Sequence, residues 1–86
     1  MSRYFFDVHE PRFLADDHEG TECSDQTAVT DEALRALCQI AADRPQDYEG
    51  QKLRVIVRDS HERIVLTASL SLSAHWHADE EQHRAA

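Results

Sequence analysis

The sequence predicts an α+β fold of ββαββ order, with one helix packed on one face of a four-stranded, mainly antiparallel sheet. Three observations carry that expectation. Tyr4, Phe6 and Val8 alternate with Arg3, Asp7 and His9 at the period of a strand. Val29, Ala33, Leu34, Leu37, Ile40 and Ala41 recur at the three- and four-residue spacing of a single helical stripe. Ile64, Leu66, Ala68, Leu70 and Leu72 alternate with Val65, Thr67, Ser69 and Ser71 along one long final strand.

Arg3 to His9 forms the first strand, and Phe5 on its otherwise polar side marks a strand that is central or that meets another surface. Pro11 has no amide proton to give a ladder, so the pattern breaks there. A short edge strand near Arg12 to Ala15 then leads into an acidic turn, and Thr21 to Cys23 extends the edge. Asp25 is the expected N-cap, because its carboxylate can accept from the unpaired amides of the first turn, and the helix runs to about Asp43. Pro45 ends it by pushing the preceding residue out of the helical region. Leu53, Val55 and Val57 alternate with Arg54 and Arg58 in the next strand, Asp59 to Glu62 turn the chain, and Arg63 to Ser73 complete the sheet. Ile64, Leu66, Leu70 and Leu72 are expected to lie beneath Leu34, Leu37 and Ile40. The expected domain spans residues 1–74, with 75–86 as a polar, flexible tail.

A chain of 86 residues supplies one core, of a size that a partner subunit often completes. Nine basic residues against seventeen acidic ones give a net charge of −8, a field that repels phosphate backbones and anionic lipid. Neither nucleic acid nor membrane is an expected partner. No run reaches the roughly 18 apolar residues that span a bilayer, and Met1 to His9 lacks a basic segment and a cleavage site, so a cytoplasmic location is expected. Cys23 and Cys38 are expected to be free thiols, Cys38 in the core and Cys23 partly exposed.

Two places hold candidate metal ligands. Asp16, Asp17 and Glu19 crowd hard oxygen donors into one turn, yet placing Gly20 at the sixth position of a calcium loop puts Ala15 and Gln26 where carboxylates are required. His75 and His77 flank Trp76 at a spacing that turns both rings to one side of a strand, and Asp79, Glu80 or His83 would have to complete a tetrahedral set. A solvated acidic turn and loose surface histidines explain the same residues, and no cofactor is expected. Asp7 with His9 is the one candidate acid–base pair; with no nucleophile motif and only two glycines for a phosphate loop, an enzyme is not expected. Phe5, Phe13, Val65 and Trp76 are candidate contact residues, because one helix cannot cover them all.

Arg3-Tyr4-Phe5-Phe6-Asp7-Val8-His9, then Asp16-Asp17-His18-Glu19-Gly20-Thr21-Glu22, then Glu32-Ala33-Leu34-Arg35-Ala36-Leu37, together with Val57-Arg58-Asp59 and Leu70-Ser71-Leu72, resemble a family of very small alphaproteobacterial proteins known as a domain of unknown function. The resemblance covers roughly residues 3 to 73. It implies a bacterial, cytoplasmic ββαββ protein with no assigned activity, cofactor or catalytic residue. The chain departs from that pattern at the second hairpin, where Glu62 stands in place of a frequent glycine. The functional expectation is a small, acidic, non-catalytic binding or regulatory module that forms a homodimer or binds a protein, through the uncovered sheet face with Phe5 and Val65 or through a sheet edge. A metal-responsive protein is the alternative.

Overall fold

The computed structural model describes residues 1–78. In chain order it holds β1 (Ser2–His9), β2 (Leu14–Ala15), β3 (Thr21–Cys23), helix α1 (Gln26–Asp43), a 3-10 turn (Pro45–Tyr48), β4 (Lys52–Arg58) and β5 (Ile64–Ser71). The strands make one open antiparallel sheet in the order β2-β1-β4-β5, and β3 also pairs with β1. β1 is therefore central, and Phe5 on its outward side is partly covered by the Arg58 guanidinium of the neighbouring β4.

The expected single edge strand is divided in two. β3 pairs with Ser2–Tyr4 and β2 with Val8 and His9, leaving the edge of β1 between them without a strand partner. The turn of residues 16–20 bulges out over this gap.

Asp25 caps α1, accepting from the Ala28 amide at 2.9 Å. Val29, Ala33, Leu37 and Ala41 are buried at four-residue intervals against Leu53, Val55 and Val57 of β4. Alanine at two of the four helical positions lets the helix backbone approach the sheet closely. Tyr4, Phe6, Val8, Leu66, Leu70 and Leu72 pack around this core, half buried.

Three expectations need correction. Leu34 is 47% exposed, because at about 100° per residue it falls on the shoulder of the helical stripe. Cys38, one step beyond Leu37, faces solvent for the same reason, while Cys23 closes β3 on its inward side and is buried. Burial, reinforced by the carboxylates of Glu32, Glu22 and Asp25, pushes the Cys23 thiol up. Ile64 is 66% exposed: Val57 pairs with Leu66 but Arg58 pairs with Ile64, so one extra residue in β5 breaks the alternation at Val65.

The hairpin before β5 explains the unusual Glu62. Its φ is +67°, the left-handed region in which glycine is unstrained, and the turn is held by the Asp59 carboxylate, which accepts from the amides of His61 and Arg63.

Candidate functional site

The helix leaves one sheet face bare. Alternation places Phe5, Asp7 and His9 of β1 there beside Arg58, Ile56 and Arg54 of β4, each pair in register. The two ends of this face differ in kind.

At the first end, Asp7 is the sole buried charged side chain among the described residues, and Arg58 grips it with two bonds, Nε to Oδ2 at 2.7 Å and Nη2 to Oδ1 at 3.0 Å. The same guanidinium donates to the Asp17 carbonyl at 3.0 Å and to Glu62 Oε1 at 2.7 Å, and lies 5.1 Å above the centre of the Phe5 ring. The Asp17 amide returns a bond to Asp7 Oδ1 at 2.9 Å. Arg58 holds the Asp7 carboxyl below its ordinary range, against the opposing effect of burial.

The Asp17 carboxylate fills the gap on the edge of β1. Oδ2 accepts from the Phe6 amide at 3.0 Å, and Oδ1 accepts from Glu19 and Gly20 at 3.1 and 3.0 Å. Burial works to raise its pKa, but the three amides outweigh it and leave the carboxyl lowered. Gly20 has φ +76°, and a β-carbon there would meet Arg3 Cγ, Phe5 Cε1 and the Tyr4 carbonyl at 2.8 to 2.9 Å. The acidic turn is thus wired to backbone. Asp16 and Glu19 stand outward without joining Asp17 around a common point, and among the described residues no three His, Cys, Asp or Glu side chains gather as a metal site would require.

At the second end, His9, Arg12, Phe13, Lys52 and Arg54 surround a shallow hollow of about 330 Å³. Glu10 also borders it, but its carboxylate accepts a short hydrogen bond from the Tyr48 hydroxyl, which pushes the phenol up. Of the candidate pair Asp7 and His9, Asp7 has both carboxylate oxygens engaged, by Arg58 and the Asp17 amide.

The remaining sequence candidates lie apart. Trp76 is 93% exposed, and His75 and His77 meet edge to face with ring centres 5.0 Å apart. Asp79, Glu80 and His83 fall outside the described residues. Phe13 borders the basic hollow, half exposed. Val65 sits at the start of β5, 49% exposed.

β5 ends the sheet, and its outer edge carries no strand among the described residues. From Leu66 to Ser71 it has no charge, proline or glycine. Exposed Leu34 and Val65 lie on its helix side, lining adjoining hollows that share Gln26 and Thr30, while exposed Ile64, paired with Arg58, falls on the bare face.

Sequence reading did not single out Arg12, Lys52, Arg54 and Arg58. The alternation of β4 put Arg54 and Arg58 on its polar side; only the structure shows that Arg58 meets an acid and Arg54 does not. No helix is long and apolar enough to cross a membrane. No curated protein and no solved structure matches the chain. The pattern of the family described as "Domain of unknown function (DUF6894)" matches residues 3–71, the stretch that runs from β1 through β5 and holds the Asp7–Arg58–Asp17 cluster, and the chain belongs to that family.

Proposed function

We propose that this domain is an assembly module, whose β5 edge pairs with the β5 edge of a second copy to join two sheets into one. The observation that carries this reading is the unguarded stretch Leu66–Ser71. Edge strands of monomeric proteins are normally blunted by lysine, proline or bulges, because their unpaired amides and carbonyls recruit other strands. Here the one such device is the bulge at Val65, before the straight part begins. Exposed Leu34 and Val65 on the helix side of this strand add apolar area that pairing would remove from water. The edge fits better than the bare sheet face, because Phe5 is already covered by Arg58.

The test is the mass of the particle in solution. Native mass spectrometry and sedimentation at high micromolar concentration should give twice the chain mass. Thr67 and Ser69 are exposed, so Thr67→Glu/Ser69→Glu should keep the fold while opposing like charges across the joined edges, and give the mass of one chain. A wild-type protein of single-chain mass under those conditions would refute the proposal.

A further inference from the structure

Eight lysine and arginine side chains lie in the described residues, and five of them, Arg3, Arg35, Arg44, Arg58 and Arg63, are ion-paired. The other three, Arg12, Lys52 and Arg54, have neither ion-pair nor side-chain hydrogen-bond partners among the described residues, and all three line the same hollow. In a chain with nearly twice as many acids as bases, three cations without an ion pair gathered at one hollow make a local positive surface.

The hollow is built by rigid parts. Arg54 sits opposite His9 in the β1–β4 ladder, and Lys52 is two residues along the same strand face, about 7 Å away. The exposed hydroxyl residues Ser69 and Ser71 stand opposite Arg54 and Lys52 on β5. Arg12 is carried by a turn that begins at Pro11 and is closed by the Glu10 amide donating to the Phe13 carbonyl at 2.9 Å. Glu10, the single carboxylate at the hollow, is held by Tyr48. Phe13 and Leu14, both more than half exposed, give the hollow an apolar wall.

We infer that this hollow binds a compact phosphorylated ligand, its phosphate held by Arg12, Lys52 and Arg54 and its less polar part resting on Phe13 and Leu14. Arginine forks match phosphate oxygens in pairs, and three cations suit a group carrying two or more negative charges. Compactness follows from the field: the three cations are confined to one hollow of a chain with net charge −8, so a polyanion long enough to leave the hollow lies against a net-negative surface that repels it.

Titration of the isotope-labelled protein, followed through its amide signals, tests this with three probes: inorganic pyrophosphate, ADP, and a single-stranded oligonucleotide. Pyrophosphate should move the signals of His9, Arg12, Lys52 and Arg54. ADP should also move Phe13 and Leu14 and bind more tightly. Arg12→Gln/Arg54→Gln, at two exposed positions, should weaken both ligands by about tenfold or more, leaving the remaining signals and the particle mass unchanged. The inference is overturned by the absence of shifts up to about 10 mM of either small probe, by shifts that the double variant leaves intact, or by an oligonucleotide that binds more tightly than ADP.

Discussion

Arg58 and Arg54 stand four residues apart on the same face of the same strand, and they live in opposite conditions. Arg58 meets two carboxylates, a carbonyl and an aromatic ring, with one fifth of its side chain in contact with water. Arg54 faces His9 and shares its hollow with Lys52, Arg12 and Glu10, yet it makes no ion pair among the described residues. The contrast teaches that function cannot be assigned from residue type on this face. A charge whose every partner is internal holds the fold; a charge left unmatched by a chain rich in acids is available to something else.

The largest test of the contrast is Arg58→Leu, which strands Asp7 as a buried carboxylate without its counter-ion. Loss of about 3 kcal/mol or more is expected, a large share of the stability of a domain this small, and urea unfolding measures it. Asp17→Asn should cost about 2 kcal/mol: one of the two oxygens that accept from Phe6, Glu19 and Gly20 becomes an NH₂ group facing a donor.

Acid offers a third test without mutation. Asp7 and Asp17 have folded pKa values below their unfolded ones, so their contribution is fully present above about pH 4 and is lost as pH falls through the folded values. Thermal scans should show the midpoint dropping below about pH 4, and the drop should shrink in Asp17→Asn. The smallest effect belongs to the other end of the face: Arg54→Gln should change stability by less than about 0.5 kcal/mol in either direction, since no internal partner is lost. A loss approaching that of Arg58→Leu would erase the distinction.

Much of the fold was legible because periodicity reports burial directly. The strand of Tyr4, Phe6 and Val8, the helix capped by Asp25 and stopped before Pro45, and the β4–β5 hairpin all follow from spacing and cap chemistry. What spacing does not report is an inserted residue. The bulge at Val65 shifted Ile64 into solvent, and a single helical step separated buried Leu37 from exposed Cys38. The site was less legible than the fold. Asp17 stood out as a possible cation ligand, yet its partners are amides from Phe6, Glu19 and Gly20, and the Phe6 contact joins strand β1 to a turn that the sequence does not place against it. Arg58 and Asp7 are 51 residues apart, and only the ladder joins them.

The carboxylate in the gap beside β1 also settles an alignment. Sliding a strand by two residues preserves its inside and outside alternation, so the hydrophobic pattern alone does not choose between such placements. Asp17 does choose, since a single placement brings the Phe6 amide to its oxygen while Glu19 and Gly20 still reach the other. The turn works as a peg in a slot: it can exchange the outward side chains of Asp16 and His18 freely, but adding or removing one residue between Asp17 and Gly20 withdraws the peg and lets the hairpin slip.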